Sequence, residues 1–198
     1  MEDTKDIAYR DRLQNTETWW KRLLDVQRPY RANLKRLNPG HVLEVGCGIG
    51  RNLKSLKTIG VDAVGVDHNV HSVKEANLRG FNALTIDEFN SVYAQQMEVF
   101  DSLLVAHVLE HMTKKAAVSL ITDYLPLLKK QGRIIIITPQ EKGFSSDPTH
   151  IEFMDFEKIE TILAPLKLEI SQKYSFPFPR SFGKLFTHNE FVVVAVKN

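Results

Sequence analysis

The sequence has little cysteine and no long apolar run. Its 198 residues include one cysteine, Cys47. A single cysteine excludes an internal disulfide and a thiolate-rich zinc site, and it fits a reducing compartment. No run approaches the roughly 20 apolar residues that span a bilayer, and the polar start MEDTKDIAYRDRLQ offers no export signal. We therefore expect a soluble cytoplasmic protein without a membrane span.

A strong charge of one sign is also missing. Lys and Arg number 26 against 24 Asp and Glu, which leaves a formal net charge of +2 at pH 7. Proteins that grip a long nucleic acid usually carry a denser basic face, so such a partner is possible but not favoured. Hydrophobic residues make up 43% of the chain, which suits one compact core. The oligomeric state stays open.

Short apolar runs alternate with helical periodicity through the first two thirds of the chain. The predicted strands cover 41–45, 62–66, 82–86, 99–106 and 133–138, and the predicted helices cover 51–59, 71–79, 88–96 and 113–130. This alternation predicts a parallel sheet with helices on both faces.

The last third follows a different pattern. A long loop is predicted over 139–154, and Asp155 is predicted to cap a helix over 156–164. Two further strands, 167–174 and 190–196, are joined without a crossover helix, so they should be antiparallel.

The N-terminal region reads as a helical arm. Residues 17–37 show helical periodicity, and Pro29 should break that stretch into two pieces. We therefore divide the chain into an arm, 1–37, and a main domain, 38–198. Trp19 and Trp20 in the arm are expected either to cover a bound molecule or to fix the helix onto the sheet.

A glycine-rich turn separates the first predicted strand from the first helix. Gly46, Gly48 and Gly50 permit positive φ and let a ligand approach bare backbone. Arg51 follows, so the spacing departs from the dinucleotide pattern G-x-G-x-x-G. Asp67 ends the second strand, where an acid can accept hydrogen bonds from both hydroxyls of a ribose. The glycine-rich turn and Asp67 together indicate an adenosine-type cofactor.

Five segments resemble successive motifs of class I S-adenosylmethionine-dependent methyltransferases of the type 11-like group. They are VLEVGCGIGRNL, VGVDHN, TIDEF, FDSLLVAHVLEHM and GRIIIITP, which together span about 40–138. The resemblance implies a doubly wound, Rossmann-like α/β fold. Its seven-stranded sheet is mostly parallel, with an antiparallel last strand and helices on both faces. The implied cofactor is S-adenosyl-L-methionine, with S-adenosyl-L-homocysteine as product.

The resemblance also implies a set of cofactor-binding residues. Glu44 would reach the amino group of the cofactor, Asp67 with His68 the ribose, and Asp87 the adenine. The full set is Glu44, Gly46, Cys47, Gly48, Gly50, Asp67, His68, Asp87, Glu88, Ala106 and His107. Cys47 is expected to be a small packed residue of the turn rather than a methyl carrier.

The octapeptide VAHVLEHM contains the pattern H-x-x-E-H in His107, Glu110 and His111. That pattern is also the signature of zinc peptidases of the inverted kind. A histidine pair at i and i+4 needs continuous helix, whereas here the chain is leaving a strand. No convincing third ligand follows His111. We therefore expect no metal, and a metallopeptidase is the remote alternative.

Methyl transfer needs an acceptor atom held in line, and an acidic acceptor also needs a base. His150, after the fifth strand, is the leading candidate for that base. His107 and His111 are the alternatives. For each of the three, the competing interpretation is a histidine that satisfies loop backbone.

The sequence therefore predicts a methyltransferase acting on an oxygen or nitrogen of a small or medium-sized acceptor. The proline- and phenylalanine-rich segment 175–186 would wall the acceptor pocket or simply cover the sheet end. Methylation of tRNA or protein is the second interpretation. No Asn/Asp-Pro-Pro-aromatic tetrapeptide follows the fourth strand, which argues against it. A non-catalytic cofactor-binding domain is the third.

Overall fold

A computed structural model describes residues 27–198. The predictions made for residues 17–26, including those for Trp19 and Trp20, lie outside the described residues. Two compact units make up the chain, the first ending at Ala94 and the second spanning Gln95–Asn198. The boundary predicted at residue 37 stays a prediction.

The first unit is a three-stranded parallel sheet with its helices. Its elements are α1 (Arg28–Leu37), β1 (Val42–Val45), α2 (Arg51–Thr58), β2 (Ala63–Asp67), α3 (Val70–Leu78), β3 (Ala83–Thr85) and α4 (Ile86–Tyr93). The strand order is β3-β2-β1. Every residue of β1 is buried, as expected for a parallel strand covered on both faces.

Local signals in the sequence explain where these helices begin. Pro29 lies in the first turn of α1, where its missing N–H would have no intrahelical partner. Asn69 caps α3 by accepting a hydrogen bond from the Ser72 N–H at 2.9 Å. Thr85 and Glu88 cap α4 reciprocally, each side chain accepting from the other residue's backbone N–H.

The second unit holds the other four strands in the order β4-β5-β7-β6. Its strands and α-helices are β4 (Phe100–Ala106), α5 (Lys114–Tyr124), β5 (Leu128–Pro139), α6 (Glu141–Ser145), α7 (Phe156–Leu163), β6 (Leu168–Phe176) and β7 (Glu190–Lys197). Short 3₁₀ turns cover Leu109–His111, Leu125–Leu127, Ala164–Leu166 and Arg180–Lys184. Strand β5 pairs parallel with β4, whereas β7 is antiparallel to both of its neighbours. The predicted fold class, with seven strands and an antiparallel last strand, is confirmed.

Two predictions about this unit are wrong in their bounds. The helix predicted over 113–130 ends at Tyr124. Pro126 cannot donate to the helical ladder, so the chain passes through a 3₁₀ turn and β5 begins early, at Leu128. The predicted loop 139–154 contains the short helix α6. The predicted cap is confirmed, because Asp155 accepts from the Lys158 N–H at 2.9 Å.

The neighbouring strands β5 and β7 form the buried centre of the second unit. Ile135 of β5 pairs with Val194 of β7, and both are buried, as are their neighbours along each strand. Apolar residues at successive positions fit strands covered on both faces. Among residues 27–198, no helix is long and apolar enough to cross a membrane.

Candidate functional site

The turn after β1, called here the glycine loop (residues 46–50), has the backbone conformation that its glycines predict. Gly46, Gly48 and Gly50 have φ of 75°, 51° and 81°. A Cβ on Gly50 would lie 2.5 Å from Cδ2 of Phe81, so a side chain is excluded there by contact as well as by φ. The loop therefore presents bare backbone at the start of α2.

Asp67 holds this loop against the end of β2. One carboxylate oxygen accepts the Gly48 N–H at 2.7 Å, and the other accepts the Asn69 N–H at 2.8 Å. The residue is 5% exposed. A carboxylate oxygen has two lone pairs, so each oxygen keeps capacity for one further donor. Asp67 thus shapes the loop and can still accept from a ligand hydroxyl. The neighbouring His68 is largely exposed, with Nδ1 3.4 Å from Asp67.

Glu44, the third residue of β1, is a buried acid with half of its carboxylate unused. Its Oε1 accepts from Nδ2 of Asn52 at 2.8 Å, whereas its Oε2 is buried without a hydrogen-bond partner. Burial is the main cause that raises the pKa of Glu44, to about 8; Asn52 lowers this pKa and the charge of Asp67 raises it further. A cationic N–H donor would satisfy the free oxygen.

Cys47 is packed inside the loop. A Cβ on Gly65 of β2 would lie 2.6 Å from the sulfur, which shows how closely Cys47 packs against β2. Burial raises the pKa of the Cys47 thiol, and the charges of Glu44 and Asp67 add to this effect. The protonated thiol is a poor nucleophile. These findings support the expectation that Cys47 is a packing residue.

Asp87 and Glu88 lie in the first turn of α4, and both are exposed. The Glu88 carboxylate accepts from the Thr85 N–H at 2.8 Å, so its side chain is engaged in the helix cap. The predicted contact of Asp87 with an adenine stays a prediction.

In the second unit, β4 ends at Ala106, which is buried, and His107 turns the chain out of the strand with φ of 58°. Left-handed backbone is uncommon for a residue with a side chain and often occurs at functional sites. A 3₁₀ turn begins only at Leu109. His107 and His111 therefore do not share a continuous helix, and the geometry of the peptidase signature is not formed.

His107 lies between two buried carboxylates. Its Nε2 is 3.0 Å from Glu190 of β7, and its Nδ1 is 3.3 Å from Glu110. The imidazole is 47% exposed, and the loss of solvent around its buried part acts to lower the pKa of His107. The two carboxylates outweigh that effect, so the pKa of His107 is raised. The sequence did not predict a role for Glu190, because no motif surrounds this residue at the start of β7. It is 83 positions from His107 along the chain.

His111 and His150, the other two candidate bases, lie next to Glu110. Their ring centroids are 4.8 Å apart, in an edge-on arrangement. Nδ1 of His150 is 2.8 Å from the Phe144 carbonyl, and Nδ1 of His111 is 3.2 Å from the Thr149 carbonyl. The His150 side chain is 8% exposed, with Nε2 3.9 Å from Oε1 of Glu110. The structure therefore brings the predicted residues His111 and His150 together around Glu110. His107, Glu110, His111, His150 and Glu190 are called here the histidine–glutamate cluster.

Comparison with known proteins gives consistent results. A ubiquinone biosynthesis O-methyltransferase from Xylella fastidiosa is 27% identical over 137 residues, which cover 62% of this chain and 55% of that protein. The chain thus spans about half the length of that curated relative.

Solved structures share the fold. A TehB-like SAM-dependent methyltransferase from Corynebacterium glutamicum matches with a TM-score of 0.67 and 18% identity, covering 98% of this chain and 99% of that one. A magnesium protoporphyrin IX methyltransferase from Synechocystis, with bound SAH, matches with a TM-score of 0.63 and 16% identity, covering 92% and 89%. The family described as "Methyltransferase domain" matches residues 20–196. The chain belongs to this methyltransferase family.

Proposed function

We propose that this methyltransferase transfers the methyl group of S-adenosyl-L-methionine to an oxygen or nitrogen of a small or medium-sized acceptor. The relative from Xylella fastidiosa is described as an O-methyltransferase of ubiquinone biosynthesis, which favours oxygen. That relative is about twice as long as the matched region, so the proposal concerns the class of acceptor and not its identity.

The free carboxylate oxygen of Glu44 carries the assignment of the cofactor. Beside it, the glycine loop exposes backbone, and Asp67 keeps acceptor capacity at the end of β2. Glu44 fits the ammonium of S-adenosyl-L-methionine, the glycine loop fits its methionine portion, and Asp67 fits its ribose hydroxyls. The cofactor supplies a methyl group that is already activated on a sulfonium.

The chain's own residues then have to orient the acceptor and, for an acidic hydroxyl, accept its proton. His107 is unsuited to that task, since its raised pKa keeps it protonated near neutral pH. His150 and His111 each donate from Nδ1 to a carbonyl, which leaves Nε2 of each as the nitrogen able to accept.

A thermal-shift experiment tests the cofactor. We expect S-adenosyl-L-methionine and S-adenosyl-L-homocysteine to raise the melting temperature and NAD to leave it unchanged. Glu44→Gln keeps the acceptor for Asn52 but removes the charge, so it should weaken both shifts. A shift with NAD alone would contradict the proposal.

A labelling experiment tests the acceptor. The protein is incubated with methyl-labelled cofactor and, separately, small phenols and amines, bulk tRNA, and unrelated protein. We expect label in the small-molecule sample. Label in tRNA or protein alone would favour the second interpretation of the sequence, and cofactor binding without transfer to any sample would favour a non-catalytic domain.

A further inference from the structure

We propose that Glu110, His111 and His150 form a binding site for one divalent first-row transition-metal ion. One donor atom of each residue lies within 4.8 Å of the donor atoms of the other two. All three residues belong to the second unit, and they come from two segments of the chain that are about 40 residues apart. The sequence alone led us to expect no metal.

Glu110 is the observation that points to a cation. Its side chain is fully buried; Oε1 is 3.3 Å from Nδ1 of His107, and Oε2 has no hydrogen-bond partner. A buried carboxylate is unfavourable unless a cation or several donors compensate it. His107 approaches Oε1 through Nδ1 and contacts Glu190 through its other nitrogen, at 3.0 Å. Since no donor contacts Oε2, this oxygen stays free for a metal ion.

The two histidines have the orientation that metal-bound imidazoles usually have. Each directs Nδ1 at a backbone carbonyl, His150 at Phe144 and His111 at Thr149, so Nδ1 carries the proton in the neutral ring. The lone pair is then on Nε2, and in His150 this atom lies 3.9 Å from Oε1 of Glu110, on the same carboxylate as the free Oε2. Hydrogen bonds of this kind fix the tautomer and the ring angle of histidine ligands.

Backbone contacts hold the two segments together. The carbonyl of Glu110 accepts the N–H of Ile151 at 2.8 Å and the N–H of Glu152 at 3.2 Å. These bonds fix the residue that follows His150 against the residue that precedes His111. The site is therefore assembled by the fold before any ion arrives.

Two imidazoles and one carboxylate are a ligand set that selects the ion. Zinc and other first-row ions favour this set, whereas Mg²⁺ prefers oxygen ligands and retains its water. In a tetrahedral zinc site, ligands at about 2.1 Å from the ion lie about 3.4 Å from one another. Small side-chain adjustments, of about 1 Å, would close the present cluster around an ion.

This inference goes beyond the proposed function and can be tested without methyl transfer. A metal on Nε2 of His150 would occupy the lone pair that a general base needs, so the two roles exclude each other. Three protein ligands leave at least one coordination position for an oxygen, from water or from an acceptor.

The test is metal titration of the full chain after treatment with a chelator and dialysis. Co²⁺ is the first probe, because its visible d–d absorption reports nitrogen and oxygen ligands directly; Zn²⁺ and Mg²⁺ follow, with bound metal measured by elemental analysis. We expect about one Co²⁺ or Zn²⁺ per chain and much weaker binding of Mg²⁺.

Variants decide whether the ion occupies this site. Glu110→Gln and His150→Gln should each weaken binding by at least about 10- to 100-fold. His188→Gln, which changes a histidine outside the cluster, should leave binding unchanged. His111→Gln provides a further variant at a half-buried position, should either buried substitution prevent folding.

The proposal is overturned if the wild-type chain retains no Co²⁺ or Zn²⁺. It is equally overturned if Glu110→Gln, His150→Gln and His111→Gln, verified as folded by circular dichroism, bind as the wild type does.

Discussion

The glycine loop of the first unit and the histidine–glutamate cluster of the second are built in different ways. The loop is made by consecutive residues, and its shape comes from three positive φ angles and the two N–H bonds that Asp67 accepts. The cluster is made by side chains from three distant segments, which meet around the two buried carboxylates of Glu110 and Glu190. Backbone shape specifies the first site, whereas tertiary structure specifies the second.

The largest expected effect follows from Asp67→Ala. Two N–H groups, of Gly48 and Asn69, lose a charged acceptor. Each such bond contributes about 1.5–3 kcal/mol, so the free energy of unfolding should fall by about 3–6 kcal/mol. Binding of S-adenosyl-L-methionine should be lost as well. Urea denaturation and calorimetry measure the two effects. His68→Ala, at the exposed neighbour, is the control for stability, and an equal loss of unfolding free energy in both variants would refute the role of Asp67 in holding the loop.

Glu44→Gln should change how stability depends on pH. The pKa of Glu44 is near 8 in the folded chain and about 4.5 when unfolded, so the folded state binds the proton more tightly. The free energy of unfolding of the wild type therefore falls as pH rises from about 4.5 to about 8. The stability of the variant relative to the wild type should rise over that window by on the order of 4 kcal/mol. Urea denaturation across the pH range measures it, and a difference that does not vary with pH would contradict the raised pKa.

Gly50→Ala and Gly60→Ala separate the strain of positive φ from the effect of a clash. Both residues have φ near 80°, at 81° and 75°, and an alanine there costs about 1–2 kcal/mol. At Gly60 nothing lies within 4 Å of the added Cβ, whereas at Gly50 the ring of Phe81 is in the way. We expect a loss of about 1–2 kcal/mol at Gly60 and of about 2–4 kcal/mol at Gly50. Equal losses in denaturation would show that Phe81 moves freely aside.

The smallest expected effect is the coupling between His107 and Glu190. Their side chains meet at 3.0 Å, but the imidazole is about half exposed, so solvent weakens the interaction. A double-mutant cycle with His107→Gln and Glu190→Gln should give a coupling of about 1 kcal/mol. A coupling near zero would show that the contact does not hold the end of β4 against β7.

Most of the fold could be predicted from the sequence because its signals are local. Runs of apolar residues, the glycine turn and the capping residue Asp155 each act within a few positions. The error at Pro126 arose because the periodicity of α5 continues past the proline that ends the helix. The helix α6 was missed since its five residues, EKGFS, are too few to show a period.

The candidate site could likewise be predicted only where its residues form a local sequence motif. The residues of the glycine loop and Glu44 belong to one continuous motif, and Asp67 belongs to the next motif along the chain. Glu190 and the contact between Glu110 and His150 depend on how β7 and the loop after β5 return to the end of β4. No property of either glutamate in the sequence indicates that its side chain will be buried.

The protonated carboxyl of Glu44 has a consequence for calorimetry. An acid with a pKa near 8 is mostly neutral at pH 7, yet it should be ionised when it faces an ammonium. Uptake of S-adenosyl-L-methionine would then release a proton into the medium. The apparent heat of association would differ between phosphate and Tris by their ionisation enthalpies, and the affinity would increase as the solution is made more alkaline toward pH 8.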